Sequence, residues 1–174
     1  MVVLPVGHQS NAEEQMTALA RQLPVYPWVK SVRGAAALGL ATIVAEAGGP
    51  LDPFANPAKL WSRLGFAPYS GHAGSTWKRG QPRALTKAEW IAHPFSGERY
   101  AMIIQIGLWL RNKQWIGKKK TASGQGEPNR PYGAIYAARR AHTAVTHPDW
   151  SDGHADRDAL RVMTKAYLLD LWCA

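Results

Sequence analysis

The sequence predicts an all-α protein: a helix-hairpin-helix-containing helical domain with basic loops. Three observations carry this. Apolar residues recur at helical spacing in several segments, most of them opened by a capping residue and closed by Gly or Pro. No segment alternates convincingly enough to predict a strand; "MVVLPV" comes nearest, and Pro5 weakens it. The 174 residues, 46% of them hydrophobic, are enough for one ordinary core.

In chain order, residues 1–10 read as a flexible arm and 11–174 as a single helical domain. Ser10 and Glu13 have capping-box spacing. Met16, Leu19, Ala20 and Leu23 then mark one face of a helix that Pro24 and Pro27 close. Residues 36–47 form a small-residue helix stopped by Gly48, Gly49 and Pro50. Asn56 and Pro57 cap and start a short helix carrying Leu60, Trp61 and Leu64, with Gly65 as its stop. Residues 69–85 are a basic loop rich in Gly and Ser.

The helical remainder spans 86–174. Thr86 and Glu89 open a short helix that must stop before Pro94. Ser96 opens a stronger one, with Tyr100, Ile103, Ile104, Gly107, Leu108 and Leu110 on a broad apolar face. Residues 117–133, "GKKKTASGQGEPNRPYG", are predicted to be a mobile low-complexity loop. Two helices follow, about 133–146 and 155–172, joined by "HPDWSDGH". The second carries Leu160, Met163, Tyr167, Leu168 and Leu171 on one side.

The formal charge is +9 and the pI near 9.9, which favours polyanionic partners such as DNA or RNA. Cys173 is the one cysteine, so neither an intramolecular disulfide nor a cysteine-based zinc site is expected, in keeping with a reducing cytoplasm. The apolar run from Ala35 to Ala47 contains Glu46 and is roughly 13 residues long, short of the about 20 a bilayer span needs. The N-terminal stretch has no signal-peptide pattern. No membrane partner and no cofactor are expected.

"SVRGAAALGL" carries the sharpest functional signal. A helix-hairpin-helix turn uses glycines to bring backbone amides close to a phosphate, and the following helix N-terminus adds partial positive charge. Gly34 occupies the first glycine position, Ala36 stands where the second is expected, and Arg33 is placed for a phosphate contact. The competing reading is a helix pair that simply packs closely. Lys78 and Arg79 follow Trp77, with Arg83 nearby; cations interleaved with an aromatic suit a nucleic-acid strand, or a solvated loop. Lys118, Lys119 and Lys120 beside Trp115 form a second basic run. Arg139, Arg140, Arg157, Arg161 and Lys165 can line a helical surface, offset in part by Asp156, Asp158 and Asp170.

His142, His147 and His154 lie near Asp149, Asp152 and Asp156. Such a group can bind a divalent ion, or it can shape a turn; the spacing fits no metal motif, so no metal site is assigned. Ser75 precedes Lys78 and Arg79. A serine nucleophile needs a base to take its proton and cations to stabilise the phosphorane, and only the cations are in evidence.

"VRG", "LATIVAEAGG" and "PFANPAKLWSRLGFAP", in that order and spacing, resemble the C-terminal domain of DEDD-type, RNA-guided insertion-sequence transposases and recombinases. The likeness covers roughly residues 11–172 and is strongest over 31–68. It implies a helix-hairpin-helix region at about 20–68 and DNA as the partner, with structured RNA as a further one. It also implies a role in recombination in a phage or mobile element, and a bacterial or phage-encoded, nucleoid-associated protein. Ser75 is the nearest counterpart of the family's serine nucleophile, with Ser70 as second choice. In that family a separate RuvC-like domain supplies four acidic metal ligands, and the 12 Asp and Glu residues here form no such strand-borne set. The resemblance therefore implies DNA binding and does not carry over transposase activity.

Three readings follow: a nucleic-acid-binding protein; a serine recombinase half that requires a carboxylate domain from another chain; and a regulatory or homo-oligomerisation module.

Overall fold

A computed structural model describes residues 6–69, 72–73, 96–116 and 127–174. The chain is all-α, as its periodicity predicts. Seven helices are present among these residues: α1 (Val6–Ala20), α2 (Tyr26–Ser31), α3 (Ala37–Ala47), α4 (Pro57–Arg63), α5 (Gly97–Lys113), α6 (Pro131–Thr146) and α7 (Asp152–Cys173). Four two-residue strands complete the described structure. Strands β1 (Pro68–Tyr69) and β2 (His72–Ala73) pair antiparallel, as do β3 (Trp115–Ile116) and β4 (Glu127–Pro128).

Local signals set most helix ends. Asn56 Oδ1 accepts from Lys59 N at 3.1 Å to cap α4, with Pro57 in the first turn where its missing N–H costs nothing. Ser96 Oγ accepts from Arg99 N at 3.2 Å and opens α5. Helix α3 stops at Gly48, which has φ 95°, and the amides of Gly48 and Gly49 both donate back to Val44 O.

Five expectations are corrected. Helix α1 begins at Val6 rather than after a Ser10 cap, so residues 6–10 belong to a helix and not to an arm. It ends at Ala20, before the Pro24 and Pro27 that were expected to close it. The helix is also rolled from the expected face: Ala20 is buried while Leu19 is 65% exposed. Within the predicted 117–133 loop, residues 127–133 take up regular structure, because Glu127–Pro128 pairs with Trp115–Ile116 and Pro131 starts α6; residues 117–126 lie outside the described residues. Helix α7 starts three residues before the expected 155, where Ser151 Oγ accepts from His154 N at 3.3 Å. The helix expected between Thr86 and Pro94 lies outside the described residues.

Helix α7 is the spine. Leu160, Met163, Tyr167, Leu168 and Leu171 are all buried, as their spacing predicts, and α4, α5 and α6 pack around them. Removing about 1.5–3 kcal/mol worth of apolar surface per such side chain from water is what holds these layers together. Helix α5 crosses α7 at Gly107, where a Cβ would overlap Thr164 Oγ1; only a glycine permits this approach. On its other side α5 meets α3, which in turn packs on α1 and α2. One contiguous core results, with Val29, Leu40, Ile43, Leu60, Leu64, Ile103 and Leu110 completely enclosed.

Candidate functional site

The turn between α2 and α3 is built from short backbone bonds. Val32 N donates to Val29 O at 3.1 Å and Ala35 N to Val32 O at 3.0 Å. Gly34 has φ 97°, a left-handed conformation that side chains resist. A Cβ on Gly34 would lie 2.9 Å from Lys113 Cβ and 3.3 Å from Trp109 O. The glycine therefore serves close packing of the turn on α5. Arg33 and Ala36, on either side, are exposed. Ala36 is the N-cap of α3 with φ −144° and ψ 158°, and no side chain caps that helix. Its first amides thus have no side-chain acceptor.

Gln114 fixes the turn from behind. It ends α5 and is 1% exposed. Its Nε2 donates to Arg33 O at 2.9 Å, while its Oε1 accepts from Tyr132 N at 3.1 Å and Gly133 N at 3.3 Å. Its own carbonyl accepts from Asn129 N at 3.2 Å. Arg130, the N-cap of α6, makes no side-chain cap bond, so Gln114 supplies that cap from another element. One carboxamide joins the α2–α3 turn, the end of α5 and the start of α6.

These three elements and the last turns of α7 enclose an open groove of about 620 Å³. Arg33 and Arg130 both line it. Trp28 and Tyr132 line it, and Asp170 and the exposed Cys173 lie on its α7 side. Trp28 stacks on the buried Tyr167, with ring centres 5.8 Å apart. Tyr132 Oη donates to Asp170 Oδ2 at 2.7 Å. Burial first, and the adjacent carboxylate second, push the Tyr132 hydroxyl far above its ordinary range, so it stays a donor.

Five arginines of the described surface are held in ion pairs. Arg99 pairs with Glu46 at 3.1 Å, Arg111 with Asp156 at 2.7 Å, and Arg140 with Asp152 at 3.1 Å. Asp158, nearly buried, holds both Arg139 at 2.5 Å and Arg161 at 3.0 Å. Lys165 lies over the Trp61 ring, 4.1 Å from its centre; burial, then Arg161, hold its pKa below the usual lysine range. The expected Arg139, Arg140, Arg161 and Lys165 surface is thus mostly tied up locally. Lys30, Arg33, Lys113 and Arg130 have no carboxylate partner among the described residues, and neither do Arg21, Lys59, Arg63 and Arg157 on other elements; the first four differ in lying on or beside the α2–α3 turn and the groove. Lys113 abuts Gly34, and Lys30 lies one turn before Arg33 in α2.

The histidines adopt a different arrangement from a ligand set. The indole of Trp150 is sandwiched between the imidazoles of His147 and His154, at 4.1 and 4.0 Å with nearly parallel rings. Among the described residues no group of three or more His, Cys, Asp or Glu is arranged to hold a metal ion. Among them, too, no helix is long and apolar enough to cross a membrane.

Of the sequence-predicted site residues, Arg33, Gly34 and Ala36 come together at the turn. Ser70, Ser75, Lys78, Arg79, Arg83, Lys118, Lys119 and Lys120 lie outside the described residues. Sequence reasoning missed Trp28, Lys113, Gln114, Arg130 and Tyr132. A signal existed for one of them: Pro131 marks a helix start, which puts Arg130 at an N-cap.

Fold and site together define an all-α protein with an open groove bordered by unpaired cations. No protein-family model, no curated protein and no solved structure matches the chain.

Proposed function

We propose that the chain binds nucleic acid, DNA in the first place, by its sugar–phosphate backbone at the α2–α3 turn. The gathering of four unpaired cations on and beside one turn carries the reading. Lys30, Arg33, Lys113 and Arg130 gather unpaired at the turn and groove, while five other arginines are neutralised in ion pairs. The overall charge of +9 adds long-range attraction for a polyanion. A short helix, a tight turn with Gly34 at positive φ and a second helix without a side-chain cap support reading α2–α3 as a helix-hairpin-helix. In this reading the α3 amides at Ala36 receive one phosphate and Arg33 a neighbouring one. Lys78, Arg79, Arg83 and the 118–120 lysines, outside the described residues, are further candidate phosphate contacts read from the sequence. A recombination role in a mobile element or phage rests on the resemblance to transposase C-terminal domains. Its enzymatic form is Ser75-dependent strand transfer with a carboxylate domain supplied by another chain.

The test is fluorescence anisotropy with labelled duplex DNA and structured RNA across a salt series. Log affinity falls linearly with log salt. The double variant Arg33→Gln/Arg130→Gln weakens binding and flattens that slope by about 2, since each phosphate contact contributes about 0.9. Arg157→Gln, on an exposed part of α7, leaves both unchanged. Absent or salt-independent binding overturns the proposal.

A second reading is self-association through α5. Met102 and Trp109 are each 42% exposed and seven residues apart, hence on one face of that helix. Light scattering reports a dimer in this case, and Met102→Ala/Trp109→Ala a monomer.

A further inference from the structure

We infer that the groove between Arg33 and Arg130 takes an unpaired nucleotide, so that the preferred partner is a single strand rather than a duplex. The inference rests on the nucleic-acid reading above and names the ligand of the same site. Its basis is the shape and chemistry of the groove. Duplex DNA is engaged by convex elements that enter its grooves, and every base in it is already stacked on both faces. Here Arg33 and Arg130 border a concavity of about 620 Å³, within the roughly 300–1,000 Å³ typical of small-molecule sites and too small in volume to enclose a double helix.

An aromatic that lines a cationic groove offers a stacking surface to a base that is free to meet it. Trp28 lines the groove and is braced by Tyr167, which is 1% exposed, so the indole is held in place rather than free to turn. The third feature is a carboxylate. Asp170 lies in the same groove, and no ion pair joins it to either arginine among the described residues. A ligand made only of phosphate would meet repulsion there. A nucleotide does not: its phosphate goes to Arg33 and Arg130, and the amino or hydroxyl groups of its base and sugar donate to Asp170. Tyr132, which donates to Asp170, holds that carboxylate in position.

The experiment compares four labelled probes of equal length by anisotropy: a DNA strand, an RNA strand, a DNA duplex, and a DNA strand carrying abasic residues throughout. The abasic strand keeps every phosphate and removes every base. The expected result is that one of the intact strands binds at least fivefold tighter than the duplex and about tenfold tighter than the abasic strand. Cys173 gives an occupancy readout on the unaltered protein, because it is exposed in the groove. Its reaction with a maleimide slows when the intact strand is bound. Trp28→Leu, which keeps an apolar side chain on Tyr167, reduces the intact-over-abasic ratio towards one. Equal affinity for intact and abasic strands, or duplex binding as tight as strand binding, overturns the inference. Where such binding still depends on salt and on Arg33 and Arg130, the nucleic-acid reading stands without it. Absence of binding to all four probes removes both.

Discussion

The Gln114 carboxamide donates to the Arg33 carbonyl at 2.9 Å across 81 positions of sequence, and this bond sets where the α2–α3 turn sits. The same carboxamide caps α6 through Tyr132 N and Gly133 N, so Arg33 and Arg130 are positioned by one side chain.

Replacing Gln114 by Leu therefore leaves two buried donors and one acceptor without partners. Each unsatisfied buried group costs about 1–3 kcal/mol, and partial relaxation brings the expected loss to about 3 kcal/mol. Gln114→Glu is the more informative variant. It keeps an acceptor for the two amides, loses the donor, and sets a carboxylate oxygen against the Arg33 carbonyl. Denaturant melts are expected to rank wild type above Glu and Glu above Leu. Both variants also weaken nucleic-acid binding, because the turn is released.

This arrangement also marks the limit of what the sequence discloses. Caps at Asn56 and Ser96 were legible because donor and acceptor lie three residues apart. The buried face of α7 was legible because its period is local and long. Gln114 was not, since its partners are 18, 19 and 81 residues away and nothing near it distinguishes it from a surface glutamine. Arg33 was singled out through its turn. Arg130 was hidden in a segment whose composition reads as loop, although Pro131 beside it is a helix start. The exposure of Leu19 had no local signal either, because α1 is rolled by its packing on α3.

Gly107 is a second place where one atom decides. A methyl there collides with Thr164 Oγ1, a buried hydroxyl that is itself bonded to Leu160 O at 2.8 Å. Gly107→Ala is expected to cost about 1–3 kcal/mol through overpacking, even though alanine is the better helix former. Adding Thr164→Ala makes room and recovers part of that loss. Thermal melts of the two single variants and the double close the cycle, and strict additivity would show that the two side chains do not meet.

The Trp150 sandwich joins the end of α6 to the start of α7. His147 follows the last residue of α6, and His154 lies in the first turn of α7. Two stacked ring pairs, at about 0.5–1.5 kcal/mol each, hold the connector. Trp150→Ala is expected to lower stability by about 1–2 kcal/mol. Hydrogen exchange should show the opening confined to the facing ends of α6 and α7, with the groove unaffected.

Asp158 predicts how stability responds to acid. Burial alone would raise its pKa, but hydrogen bonds and charge from Arg139 and then Arg161 outweigh burial and hold the carboxyl below its ordinary value of 3.8. A carboxyl whose folded pKa is depressed stabilises the fold fully above its unfolded pKa. That contribution is lost as pH falls through the lower folded value. The melting temperature should therefore be flat in this respect above about pH 5 and fall below about pH 4. Asp158→Asn removes the titration and strands two arginines that are each about one-third exposed. Water reaches those guanidinium groups, so the expected cost at pH 7 is about 2 kcal/mol rather than the 3–5 of a fully buried pair. The gap between wild type and variant should narrow from pH 7 to pH 3. A gap that stays constant over that range would mean that Asp158 keeps its proton affinity on unfolding and that the two arginines do not set it.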